Sequence, residues 1–269
     1  MHIVICAKHV PNPDMPPVVY GIDEQRNEVR LPPGSPHVTS PFDEQAMEAA
    51  LRLREQLGGA RITVVTLGPE SARAVVKHGL SLGADDGVLL SHPAFLGGDS
   101  VSTARTLAAA IRKLGGPDVV LCGRQASDTD AGTTAAAIAA VLDFPLVTFA
   151  KDVEVRGRCV RVERVVEDGF ETVEADLPAV VTVSNELGAV RAANLRETMR
   201  AARKPVAVWS PADLALAAAE VGAAGARLVV RKKLLPVTDS QCEFIAGNSP
   251  AEQAAMLLRR LAEDWLLPL

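Results

Sequence analysis

Five short apolar runs punctuate the first 150 residues: HIVICA (2–7), ARITVVTLG (60–68), GVLLS (87–91), DVVLCG (118–123) and PLVTF (145–149). Continuous runs of this length and β-branched content fit strands buried on both faces. Between them lie stretches with helical spacing, SPFDEQAMEAALRLREQLGG (40–59), PESARAVVKHGLSLG (69–83), DSVSTARTLAAAIRKLGG (99–116) and DTDAGTTAAAIAAVLD (128–143). The first of these carries its own boundaries: Ser40 as N-cap, Pro41 in the first turn, early acids, and Gly58 as a stop. Strands separated by single helices need crossover connections. The chain is therefore expected to form a parallel sheet with helices on both faces, a three-layer, Rossmann-like α/β domain. Ligands of such sheets sit at the carboxyl ends of the strands, where the strand order reverses.

Two segments depart from this alternation. VVYGIDEQRNEVRL (18–31), inside a proline-rich stretch, reads as a short surface hairpin. From 151 the pattern switches to period two, with turns at Arg156-Gly157 and Asp168-Gly169, so an antiparallel meander over 151–184 is expected to extend the sheet. A short basic helix (192–205), a strand in VAVWS (206–210) and a helix over DLALAAAEVG (213–222) follow. A tail over 236–269 ends in a helix with the apolar stripe Met256, Leu257, Leu261 and Trp265. Packing on its own domain and clamping a partner are both open for that helix.

Composition excludes several classes. A net charge of -5 gives no general attraction to nucleic acid or anionic lipid. No apolar run approaches the ~18 residues that cross a bilayer. The start, MHIVICAKHVPNPD, has no basic leader and no cleavage-like site, so no signal or transit peptide is expected. Cys6, Cys122, Cys159 and Cys242 are scattered without a C-x-x-C, which reads as free thiols in a reducing cytoplasm. There is no G-x-G-x-x-G, no phosphate loop ending in G-K-S/T, no H-x-x-x-H and no G-x-S-x-G. Neither a metal site nor a nucleophilic triad is expected. LGGDSVSTA (96–104) is similar to the pyrophosphate loop of some ATP pyrophosphatases but lacks its leading serine and spacing, so a helix cap by Asp99 or Ser100 is the better reading.

CGRQASDTDAGTTAAAIAAVL (122–142) gives up side-chain bulk between a strand and a helix. A helix beginning near Asp130 would offer free N–H groups and a positive dipole end to a phosphate. Gly132 would let its oxygens approach, and Thr133 and Thr134 would add hydroxyls. A plain helix cap by Asp128 or Asp130 competes with that reading.

Several blocks in fixed order resemble the small (beta) subunit of electron transfer flavoproteins over roughly residues 1–210. They are IVICAKHVPNP, SPFDEQAMEAALRLRE, VTLGPESA with GLSLGADDGVLL, GGDSVSTARTLAAAI, PDVVLCGRQASDTDAG, VVEDGFETVEADLPAVVTVSNEL and ANLRETMRAARKPVAVWS. The resemblance implies an electron carrier rather than an enzyme, a heterodimer whose alpha subunit holds the redox-active FAD. This chain would hold AMP structurally, or a second FAD as in bifurcating relatives. An ATP-using enzyme of the same architecture is the alternative. The resemblance further implies nucleotide contacts at Cys6, Ala7, Lys8, Ser40, Leu67, Gly123, Asp130, Gly132, Thr133 and Thr134. Family members commonly carry an amide side chain where Gly132-Thr133-Thr134 stands. Docking on acyl-CoA dehydrogenase-type donors, and so a place in fatty acid oxidation, is implied for segment 188–204, with Leu195 as anchor and Arg200, Arg203 and Lys204 as steering charges. The division expected is a nucleotide-binding domain over 1–235 and an arm over 236–269 contacting the alpha subunit.

Overall fold

The computed structural model describes residues 1–236, 242–264 and 266. Thirteen strands are described: β1 (His2–Cys6), β2 (His9–Pro11), β3 (Gly21–Asp23), β4 (Glu28–Arg30), β5 (His37–Thr39), β6 (Arg61–Leu67), β7 (Asp86–Leu90), β8 (Val119–Gly123), β9 (Leu146–Arg156), β10 (Cys159–Val166), β11 (Gly169–Asp176), β12 (Ala179–Val183) and β13 (Ala207–Trp209). The helices are α1 (Pro41–Gln56), α2 (Arg73–Leu82), α3 (Ser100–Lys113), α4 (Thr134–Leu142), α5 (Leu195–Arg203), α6 (Gly222–Gly225) and α7 (Pro250–Glu263). Nine strands form one sheet in the order β11-β10-β9-β12-β8-β1-β6-β7-β13, parallel from β12 to β13.

β1 shows why its sequence is apolar throughout. Ile3 and Ile5 enter one core with Met47 and Leu53 of α1 and Val76 and Leu80 of α2. Val4 and Cys6 enter the opposite core with Ala104 and Ile111 of α3 and Ile138 of α4. A strand covered on both faces has no solvated side on which to place a polar residue. The result is the expected three-layer α/β fold.

Four local expectations change. PLVTF is not a separate strand but the first half of the eleven-residue β9, which runs parallel to β12 and then antiparallel to β10. Val147 pairs with Val181 and Ala150 with Val183, so one extra residue forms a bulge at Phe149, whose φ is 59°. Second, β12 lies within the expected meander yet runs parallel to both neighbours, with its five residues all buried in mid-sheet. Third, 213–222 is not a helix. Ala215 turns left-handed at φ 53°, Leu214 and Val221 anchor two short 3-10 turns, and Gly222 at φ 53° packs where a Cβ would lie 2.1 Å from the Ala94 carbonyl. Fourth, α4 begins at Thr134 rather than near Asp130.

The terminal helix α7 has no buried residue, and Met256, Leu257 and Leu258 are exposed. Trp265, the last member of its expected stripe, lies outside the described residues. Among the described residues no helix is long and apolar enough to cross a membrane.

Candidate functional site

From β1 the chain builds β6, β7 and β13 to one side, and β8 and β12 to the other. The order thus reverses between β1 and β8, and the ends of these two strands, Cys6 and Gly123, border the crevice where ligands of such sheets bind. The first turn of α1 faces this crevice. Asp43, buried, accepts the Lys8 amide hydrogen on Oδ2 at 2.8 Å and the Gly123 amide hydrogen on Oδ1 at 2.9 Å. Burial pushes its carboxyl up to about 7 despite those two bonds. A Cβ on Gly123 would lie 2.7 Å from Asp43 Oδ1 and from the Phe42 carbonyl carbon. The bulk missing at Gly123 therefore makes room for the first turn of α1.

A cavity of about 730 Å³ opens beside this joint. Of the residues expected at a nucleotide, Cys6, Ala7, Lys8, Leu67, Gly123, Gly132 and Thr134 line it, while Ser40, Asp130 and Thr133 do not. Asp130 stands at φ 51° in the loop and accepts a hydrogen bond from the Gln125 amide nitrogen at 2.9 Å. Ser40 holds the end of β1 from behind, its amide donating to the Lys8 carbonyl at 2.9 Å. Thr133 is the N-cap of α4 without a side-chain cap bond, so the opening amides of that helix receive none from it.

The residues present fit an anionic, ring-bearing ligand. Lys8 reaches the loop and pairs with Asp128 at 2.6 Å. Among the described residues, Arg124 Nε and the Ser127 hydroxyl are buried without a partner, while Arg124 Nη1 donates to Ser184 Oγ at 3.2 Å. Such atoms normally find a partner. Leu107 and Ile138 give the cavity apolar walls.

Sequence reasoning missed four contributors. Asp43 was visible only as an early acid of α1. The loop Leu96–Ser100 was read as a cap, and Asp99 does cap α3 by accepting the Ser102 amide at 2.8 Å. The hairpin residues Arg26, Asn27 and Glu28, and Leu228, Val230 and Lys233, also line the cavity without any local signal.

The docking segment lies elsewhere. Asn194 caps α5 by accepting the Glu197 amide at 2.9 Å. Leu195 is 77% exposed and Met199 56%, and Arg200 and Arg203 are exposed beside them. The Lys204 ammonium donates to the Ala84 carbonyl at 2.8 Å, just past the end of α2. Lys77 of α2 returns the arrangement, donating to the carbonyls of Ala201, Ala202 and Lys204 at the end of α5. Upstream, Arg191 bonds Glu48 and Glu55. Burial would raise the Glu48 carboxyl, but bonds from Arg191 and Arg52 outweigh it and hold the group at about 2.

Among the described residues no three potential metal-ligating acids, histidines or cysteines come together. The electron transfer flavoprotein domain matches residues 34–214. The chain is 33% identical to the caffeyl-CoA reductase-Etf complex subunit CarD of Acetobacterium woodii, covering 99% of this chain and all of that one. It is 35% identical to the electron transfer flavoprotein subunit beta of Megasphaera elsdenii over 94% of each chain, and 34% identical to the protein FixA of Azorhizobium caulinodans over 97% of this chain and 94% of that one. The chain therefore belongs to the electron transfer flavoprotein family and is of its beta-subunit type.

Proposed function

We infer that this electron transfer subunit holds an adenine nucleotide, AMP in the first reading, at the crevice between β1 and β8. The observation that carries the reading is the cavity itself, placed at the reversal of strand order and edged by Lys8 and the opening of α4. Phosphate would rest against Lys8 and the amides around Thr134, and the base between apolar walls such as Leu107 and Ile138. FAD held by a partner alpha subunit supplies the redox chemistry, and this chain orients that partner and its donor in the cytoplasm.

Docking of an acyl-CoA dehydrogenase-type donor fits α5, whose apolar tip Leu195 projects to solvent above Arg200 and Arg203. A second reading, FAD in this chain's own cavity, is favoured by one feature. The space continues from Thr134 to Arg26 and Lys233, in the upper part of the ~300–1,000 Å³ range of small-molecule sites. The ATP-using alternative gains nothing from LGGDS, since backbone amides engage both oxygens of Asp99.

Equilibrium dialysis of labelled AMP against nucleotide-stripped, full-length chain tests the first reading. Saturable binding at one site is expected, weakened about tenfold by Lys8→Met, a loss of roughly 1.4 kcal/mol. Binding that ignores Lys8 would remove the phosphate from this corner.

A further inference from the structure

Seven residues beyond α6 cross the mouth of the cavity, and two side chains fasten them. Asp99 sits at the start of α3 with Oδ1 on the Ser102 amide. Its other oxygen accepts two successive amides of the crossing segment, Arg227 at 2.7 Å and Leu228 at 3.0 Å. These three amides, Ser102 foremost, hold the Asp99 carboxyl well below the usual carboxylate range, so the fastening is charged near neutral pH.

At the far end Asn27, in the turn between β3 and β4, substitutes for a neighbouring strand. Its side-chain amide donates to the Val230 carbonyl at 3.0 Å, and its oxygen accepts the Lys233 amide at 2.6 Å. Leu228, Val230 and Lys233 face the cavity between these fastenings.

Among the described residues, little else holds the segment. Leu228 is 69% exposed and Val229 80%. Just upstream the backbone is fixed, with the Ala223 amide on the Leu96 carbonyl at 2.9 Å and Gly222 pressed against Ala94. A segment anchored behind, closed by two polar fastenings and poor in buried contacts, opens more easily than the core beneath it.

We propose that residues 227–233 form a latch over the nucleotide cavity, and that Asp99 and Asn27 are positioning residues whose hydrogen bonds set how long a bound nucleotide stays. The proposal rests on the nucleotide reading of the cavity. The role of the latch is retention, and either fastening suffices to break closure because the segment bridges both.

Two variants separate the latch from folding. Asp99→Asn keeps a good N-cap for α3 but turns an amide donor toward Arg227 and Leu228. Asn27→Gly keeps a residue at ease with the left-handed φ of 54° while deleting the fastening.

The full-length chain with its FAD-bearing partner is loaded with labelled AMP, or with FAD in a parallel arm, and chased with excess unlabelled ligand. Each variant is expected to release label about tenfold faster or more, and the double variant little faster than either single one, as for one element opened from two ends. Label retained by wild type and released by both variants at the wild-type rate overturns the latch alone. Failure of wild type to retain either nucleotide overturns the cavity reading and the latch together.

Discussion

Asp43 Oδ1 lies 2.9 Å from the Gly123 nitrogen, while its other oxygen holds the Lys8 amide, so one buried carboxyl joins the two strand ends between which the sheet reverses. The groups facing it are Lys8 from the end of β1, Asp128 from the loop before α4, and the thiol of Cys122.

That carboxyl makes stability fall with pH. Its folded pKa of about 7 lies above the ~3.9 of an unfolded aspartate, so between these values the folded state binds the extra proton. The contribution of Asp43 is greatest below about 4 and is lost as pH rises to about 7, by at most on the order of 4 kcal/mol. Asp43→Asn removes this slope. Denaturant unfolding of both forms at pH 5 and pH 8 is expected to show wild type losing stability relative to the variant at the higher pH. An unchanged difference would mean that Asp43 does not titrate there.

Gly123→Ala forces a Cβ onto the Phe42 backbone, which cannot move aside as a flexible side chain would. A loss of about 1–3 kcal/mol is expected from the denaturation midpoint. A variant as stable as wild type would show that α1 has room to retreat.

The reciprocal lysines of α2 and α5 carry the docking helix. Lys77→Met strips a charged donor from three carbonyls, at a cost of about 1.5–3 kcal/mol. Hydrogen exchange of the α5 amides is expected to quicken while that of β1 and β8 holds. Unaltered exchange in α5 would show that packing of Ala201 alone suffices.

Leu195→Ala touches no core, so folding stability should stay within about 0.5 kcal/mol of wild type. Electron uptake from a dehydrogenase donor should slow through a raised KM, with nucleotide content unchanged, because α5 contributes no residue to the cavity. Loss of nucleotide in this variant would contradict the separation of the two surfaces.

The sequence carried the layers because burial on both faces leaves a direct mark, an unbroken apolar run such as that of β1. The strand β12 carried a similar mark, VVTV, but the flanking period-two segments disguised it, and only its neighbours β8 and β9 make it parallel. Of the cavity lining, Gly132 was marked by local chemistry, whereas Lys8 came only through the family resemblance. Gly123 is expected at the nucleotide only through the resemblance, and its lack of a side chain also makes room for Phe42. Asp43 was hidden because its partners are backbone amides 35 and 80 residues away, which no side-chain pattern announces. The fastening of Lys233 by Asn27 spans 206 residues and was hidden for the same reason.

The most direct measurement is the stoichiometry of nucleotides released by acid from the purified complex of this chain with its flavin-bearing partner, resolved by mass spectrometry. One adenine nucleotide beyond the partner's FAD is expected for every copy of this chain, either AMP or a second FAD. A complex that yields the partner's FAD and nothing more would contradict a nucleotide at the crevice between β1 and β8.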